Sequence, residues 1–484
     1  LGTGWCARPE LLTPAAWRAP LAALERATGL GFGDARRPLL LSVRSGAPVS
    51  MPGMMDTLLN IGLTDATVPG LLRLTGNPRL VWDAYRRLVA GYGETVMGVP
   101  AAAFEADVAA VCRESGSVDE RELDFMALRT LTQRHRASVE RHAGRPFPQE
   151  APRQLAEAIT AVFASWQSPR AQAWRRMNAL DDAMGTAVTV QRMVFGNAGG
   201  GSGAGVGFTR HPSSGEPQPW VDFLFNAQGE DVVSGRRSAP AHDLLARVAP
   251  AVWQALLDAC ARLEAAFGDM QDIEFTVENG QLWLLQTRAG KRTPQAAARI
   301  ALDMAEAGLI SADEARRRTA GYDVDALAVA RLVQQADGSA AQALAQAVAA
   351  SHGVASGALV LDEAQARLRL AQGQPVLLLR PDADTADIDA LALAEGLLTT
   401  RGARTAHAAV VARQLGKVCL VACEALRIDL ARRQVRLGDT LLDEGEVLTL
   451  DGNTGAVYRG ALAVVREAPA GLMARLAALR AAAA

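Results

Sequence analysis

The chain has 484 residues, 49% apolar and 21% charged, with a net charge of −2. That length exceeds what one hydrophobic core supports, so two or three domains are expected, and the near-neutral balance excludes general electrostatic attraction to nucleic acid or membrane. Five irregularly spaced cysteines, Cys6, Cys112, Cys260, Cys419 and Cys423, give neither a disulfide framework nor a metal spacing. No apolar run approaches membrane-spanning length, and the first ten residues lack a signal-peptide pattern, so a reducing cytoplasm is the expected compartment.

In chain order, residues 12–30 carry a helical pattern that opens at Thr13-Pro14 and stops near Gly29. Pro38 to Val43 is an apolar run long enough for one buried strand. It leads into Ser42–Leu63, a loop crowded with glycines 46 and 53, prolines 48 and 52, and Met51, Met54 and Met55. Arg44 leaves the strand end, where a guanidinium can grip a phosphate with two hydrogen bonds or form an ordinary surface ion pair. From Thr75 to about Arg175 the pattern is mainly helical, and most arginines there read as a solvated face. Thr186–Phe195 reads as a strand ending in the glycine-rich, hairpin-like stretch Gly196–Glu216. Glycines such as Gly199, Gly201 and Gly203 let backbone amides approach a polyphosphate, or simply make a flexible turn.

Gly268–Thr293 carries the metal argument. The strand QDIEFTV places Asp272 and Glu274 on one face, Asn279-Gly280 turns the chain, and LWLLQTR returns with Gln286 and Arg288 facing the same place. Two carboxylates on one face can hold the magnesium ions that bridge nucleotide phosphates; the plainer reading is a solvated strand edge. Pro294 to about Ala336 reads as helical, with a Ser-x-x-Glu capping signal at Ser311. Short strands and helices then alternate around Thr399–Val421, whose centre is His407. With Thr405 or Ala406 as cap and Gly416 as stop, His407 falls in a first helical turn. There the unpaired N–H groups and the helix dipole favour a neutral, nucleophilic imidazole and then stabilise a phosphoryl group on it. Ala408, Val411, Ala412 and Leu415 would pin that helix to a core, with Arg401, Arg404 and Arg413 as nearby cations. The plainer alternative is a histidine that caps or fills space.

The string TxRGxxTxHAAVVARxxGK resembles the phosphohistidine motif of the phosphoenolpyruvate-utilising enzymes. SVRSGAxxSMPGMMDTxLNxGL closely resembles the signature of the pyruvate phosphate dikinases, and GNPRxxxDxYRR, FPQE at 147–150, SWxSPRAxxxRRMN and TRxPSSGE continue the likeness in family order from about residue 30 to 460. The resemblance implies an α/β (α+β) architecture. An ATP-grasp-like nucleotide-binding domain over 1–293, with a helical insert at about 75–180, would be joined by a helical linker, 294–340, to a small swivelling phosphohistidine α/β domain, 341–462, and a helical tail, 463–484. It implies Arg44 as the catalytic, triphosphate-binding arginine and Arg87 as a second phosphate contact. Gly199, Gly201 and Gly203 would form the nucleotide lid, Gln286 and Arg288 would contact nucleotide, Asp272 and Glu274 would hold Mg2+, and His407 would carry phosphate. The chain departs from the family's G-G-M-T-S-H, reading Gly402-Ala403-Arg404-Thr405-Ala406-His407, and has Ala198, Gly200 and Gly201 where relatives often carry side chains.

In that family ATP and inorganic phosphate react at the nucleotide domain, the β-phosphoryl group ends on the histidine, and AMP and pyrophosphate leave. The histidine domain then swings to a C-terminal barrel, where pyruvate becomes phosphoenolpyruvate. Here no barrel follows, nothing before Pro38 matches the family's N-terminal glycine-rich lysine segment, and the chain begins at Leu1 rather than methionine. The expectation is therefore a module that phosphorylates its own His407 with Mg-ATP and phosphate, for a barrel on another chain or another part of the gene. Nucleic acid and membrane are not expected partners, and a homodimer is compatible with the sequence. The same departures motivate a competing expectation, a non-catalytic nucleotide-binding or regulatory protein.

Overall fold

The structure, a computed structural model, describes residues 1–7, 13–49, 51, 54–233, 242–333, 342–382, 387–404 and 407–481. The chain divides into two compact units, Leu1–Val194 and Phe195–Ala484, so the residues expected to form the nucleotide-binding domain, 1–293, belong partly to each.

In the first unit three antiparallel strands, β1 (Leu41–Gly46), β2 (Thr57–Ile61) and β3 (Ala187–Arg192), lie in the order β2-β1-β3. Leu41, Val43, Leu58 and Ile61 are buried beneath the helices Pro78–Thr95 and Ala151–Ala164. The first of these helices starts where the sequence says it should. Asn77 accepts from the Leu80 N–H at 3.0 Å, and Pro78 needs no partner at the first helical position. Gln154 of the second helix is fully buried, accepting from the Gly62 N–H at 2.8 Å and donating to Leu63 O at 3.1 Å, which ties the end of β2 to the helix. The helix expected at 12–30 runs over Ala15–Thr28, closed by Gly29 with φ 66°. Ser50, Pro52 and Gly53 of the methionine-rich loop lie outside the described residues.

The second unit contains a four-stranded antiparallel sheet in the order β5-β4-β6-β7: β4 (Gly203–Phe208), β5 (Trp220–Phe225), β6 (Gln271–Glu278) and β7 (Gln281–Ala289). One face packs Val221, Phe223, Ile273, Phe275 and Val277 against Val252, Leu256 and Cys260 of the helix Pro250–Phe267. Gly205 sits in this face between Phe223 and Phe275, whose rings stack at 5.9 Å and 9°. A Cβ at 205 would lie 2.3 Å from the Phe275 ring. The glycine-rich stretch is thus not a hairpin: β3 and β4 belong to different sheets. Hydrophobic alternation reports that a strand exists but not which partner it pairs with.

Beyond it lies an eight-stranded mixed sheet. Its strands Val354–Val360, Val376–Arg380, Gly396–Thr399 and Val418–Val421 are parallel neighbours, flanked by antiparallel strands. The helix His407–Gln414 makes the crossover between the last two parallel strands. The linker expected to be helical holds Pro294–Glu306 and Ala312–Thr319, but Val329–Leu332 is a strand paired with Val464–Glu467 of the expected helical tail. Alanine-rich composition hid this pairing, which tertiary contact decides. The tail's helix, Ala470–Ala481, seats Leu472 and Leu476 against Ala298, Leu302 and Leu327. Among the described residues no helix is long and apolar enough to cross a membrane, and Cys112, Cys260, Cys419 and Cys423 are buried free thiols.

Candidate functional site

The hairpin β6–β7 turns at Asn279 and Gly280, both at positive φ, 51° and 78°, as a two-residue turn requires. Its register carries a consequence that side-chain alternation alone misses. Counting back from the turn, Phe275 faces Leu284, and an unbroken pleat would bring Leu285 opposite Glu274. Instead Leu285 is an extra residue in β7, a bulge, and the pairs become Glu274 with Gln286 and Asp272 with Arg288. The bulge turns Gln286 and Arg288 onto the face of the two acids.

There they form one cluster. Arg288 donates from Nη2 to Glu274 Oε1 at 3.0 Å and to Gln286 Oε1 at 2.9 Å, with its Nη1 4.0 Å from Asp272. Burial pushes the Asp272 carboxyl up to about 6, Arg288 opposing and Glu274 adding to the rise. Cross-strand partners extend the face over the whole sheet, as two rows: Trp220, Phe208, Asp272, Arg288, and Asp222, Val206, Glu274, Gln286. Two carboxylates, a carbonyl oxygen and a guanidinium on one face suit a divalent cation with its attendant polyphosphate. Among the described residues no group of three or more His, Cys, Asp or Glu could hold a metal ion unaided.

Of the lid glycines, Gly199 has φ 143°, Gly201 O accepts from the Gly280 N–H at 2.8 Å, and Gly203 begins β4. A Cβ at 203 would meet the Phe223 ring at 2.2 Å, so packing already demands glycine there. The two remaining candidates lie in the first unit. Arg44 is in β1, paired with Thr57 and Thr189. Arg87, in the helix Pro78–Thr95, holds Asp83 at 3.1 Å. Burial would raise the Asp83 carboxyl, but Arg87 and Arg86 keep it below the usual range.

His407 opens its helix as the sequence predicts, at the carboxyl end of the parallel strand Gly396–Thr399. The expected caps Thr405 and Ala406 lie outside the described residues. Ala408, Val411 and Ala412 are buried, but Leu415 is 40% exposed: the helix ends at Gln414, and Gly416 at φ 67° leads the chain away. Arg401 is exposed. Arg404 and Arg413 are half-buried and buried, and both reach the four-stranded sheet. Arg404 Nε pairs with Asp222 Oδ1 at 3.0 Å and its Nη2 donates to Val221 O at 3.1 Å. Arg413 donates to Ala350 O from Nη2 at 2.6 Å and lies over the Phe208 and Trp220 rings. Sequence reasoning missed Asp222; the signal was a lone acid inside the apolar strand WVDFLF.

A family model described as pyruvate phosphate dikinase, AMP/ATP-binding domain, matches residues 13–242 and 246–308. The chain belongs to the pyruvate phosphate dikinase family. A second model, PEP-utilising enzyme, mobile domain, matches residues 372–455 and so includes His407. Among curated dikinases, that of Clostridium symbiosum is 43% identical over 438 residues, 90% of this chain and 50% of that protein. Those of Rhizobium meliloti (strain 1021) and Zea mays (pyruvate, phosphate dikinase 2) are each 42% identical over 455 residues, covering 92% and 93% of this chain and 50% and 51% of theirs. The chain thus spans about half the length of the curated relatives it matches. The first matching model is described as binding AMP and ATP, and these relatives are named as dikinases.

Proposed function

We propose that this chain performs the ATP- and phosphate-dependent half of a dikinase reaction, phosphorylating its own His407 and releasing AMP and pyrophosphate. The observation that carries the reading is the single sheet face bearing Asp272, Glu274, Gln286 and Arg288, with the anchors of the His407 helix seated on the same rows.

Asp272 and Glu274 would hold Mg2+, which supplies charge neutralisation between the nucleotide phosphates. Arg288 can release Glu274 for phosphate oxygens, since its ion pairs are partly open to water, and Gln286 orients it through the 2.9 Å hydrogen bond. Arg44 and Arg87 bind the triphosphate and phosphate, Arg87 sharing its guanidinium with Asp83. Gly199, Gly201 and Gly203 close the nucleotide side. His407, at a helix start, offers a nitrogen to the β-phosphorus, and the first-turn N–H groups receive the phosphoryl charge. Residues 1–293 act as the nucleotide-binding domain and 341–462 as the carrier, whose phosphoryl group is destined for pyruvate at a barrel beyond these residues.

The test is incubation with β-phosphoryl-labelled ATP, Mg2+ and inorganic phosphate. Acid-labile label on the chain, absent from His407→Ala although that variant still binds ATP, is the expected result. Label retained by His407→Ala would sink the assignment, and no label on a folded, ATP-binding chain would favour a nucleotide-binding regulatory protein.

A further inference from the structure

The GARTAH string departs from its motif at Arg404, and the fold gives that departure a place. Arg404 stands three residues before His407, and its side chain leaves its own domain for β5, the outer strand of the four-stranded sheet. Three contacts hold it there: the Asp222 carboxylate at 3.0 Å, Val221 O at 3.1 Å, and the face of Trp220 with the guanidinium carbon 4.5 Å from the ring centroid. The Asp222 side chain is only 1% exposed, so this pair is desolvated. Arg413, six residues after His407, covers the same Trp220 ring at 5.0 Å and donates to Arg404 O at 3.3 Å, bracing the two arginines against each other. A second seam lies beside them, where His352, just after the strand Val348–Ser351, packs at a tilt against His211, ring centroids 5.2 Å apart, and His211 likewise against Trp220 at 5.4 Å. Neutral imidazole suits this seam, since His211 Nδ1 accepts from the Ser213 and Ser214 N–H groups at 3.2 Å.

The position of this latch gives it a task. Asp222 shares its cross-strand row with Glu274, two strand spacings or about 10 Å away. An anchor on Asp222 therefore rests on the same row of the sheet as Glu274 and Gln286. We propose that Arg404 is a positioning residue: by docking on Asp222 and Trp220, braced by Arg413, it seats the start of the His407 helix over the nucleotide-facing side of the sheet for phosphoryl transfer. The proposal rests on the reading of His407 as the phosphoryl acceptor, and the latch is the contact that must break when the carrier leaves.

The test compares the full 484-residue chain with Arg404→Glu, Asp222→Arg and the double exchange. Hydrogen exchange over residues 220–225 and 407–414 reads docking independently of any chemistry. Each single variant should exchange about 10-fold faster there, and the double variant should return close to the unaltered chain. At saturating ATP, His407 labelling should slow by about 10- to 100-fold in each single variant, as a misplaced acceptor does, and recover in part in the double. ATP affinity should change by less than about 3-fold, which separates misplacement from loss of the nucleotide site. Unchanged exchange in the single variants, or no recovery in the double, would overturn the proposal. If the unaltered chain takes no label, the His407 reading falls and exchange alone judges the docking. If a single variant does not fold, Arg404→Met takes its place, keeping the stem over Trp220 and removing the charge; wild-type exchange in that variant equally overturns the latch.

Discussion

Arginine meets carboxylate at both ends of one sheet face, in two different manners. At the hairpin end, Arg288 and Glu274 are 32% and 20% exposed, and the guanidinium divides itself among Glu274, Gln286 and, more distantly, Asp272. At the docking end, Arg404 and Asp222 are 12% and 1% exposed, and a backbone carbonyl and an indole face complete the arginine's surroundings. A partly hydrated pair can exchange its partner for a phosphate at small cost. A buried pair resists separation because each charge, left alone, is without solvent. On the proposed reading, similar chemistry would serve as a replaceable ligand set on β6–β7 and as a fastening on β5.

The comparison is broken most severely at Arg288. Arg288→Ala should lower the rate of His407 labelling by about 10³-fold, the scale of an arginine that neutralises transferring phosphate, while thermal unfolding barely moves. Asp222→Ala should do the reverse in kind, leaving the hairpin intact but costing about 1–3 kcal/mol in urea unfolding of the second unit as Arg404 loses its carboxylate partner. Gly205→Ala attacks the sheet beneath both ends. Its new methyl meets the Phe275 ring, and a loss of about 1–3 kcal/mol is expected, with near-ultraviolet dichroism reporting the displaced rings. Acid sharpens the contrast at the docking end. Burial, then His352, Arg413 and Arg404, push His211 down to about 3, whereas the unfolded chain takes that proton near 6.5. The His211 contribution to docked stability should therefore fall as pH drops below about 6.5, by at most about 1.4 kcal/mol per unit, and level off near 3; His211→Asn should remove that part of the slope. The smallest effect belongs to Glu274→Gln, whose stability should stay within about 1 kcal/mol of the unaltered chain.

Much of this is legible in the sequence. Alternation on QDIEFTV gave the acids a common face, Asn279-Gly280 gave the turn, and Gly416 gave the end of the His407 helix. The illegible features share a cause, because each depends on a partner distant in sequence. Nothing in residues 186–208 tells that β3 joins β1 while β4 joins β5 and β6. Nothing in VARL announces Val464–Glu467. Arg404 reads as a cation near His407 until Asp222, 182 residues earlier, is found beneath it. Gly203 reads as part of a phosphate lid, and the Phe223 ring by itself also requires its missing side chain.

The bulge at Leu285 makes the hairpin sensitive to chain length as well as residue identity. Removing that one residue would leave both acids, Gln286 and Arg288 in the sequence and the turn intact, yet it would restore the simple pleat and send the glutamine and arginine to the opposite, apolar side. The spacing between turn and arginine is therefore part of the site's specification. Variation that swaps side chains one at a time would never discover it, whereas a single in-frame codon loss would erase it.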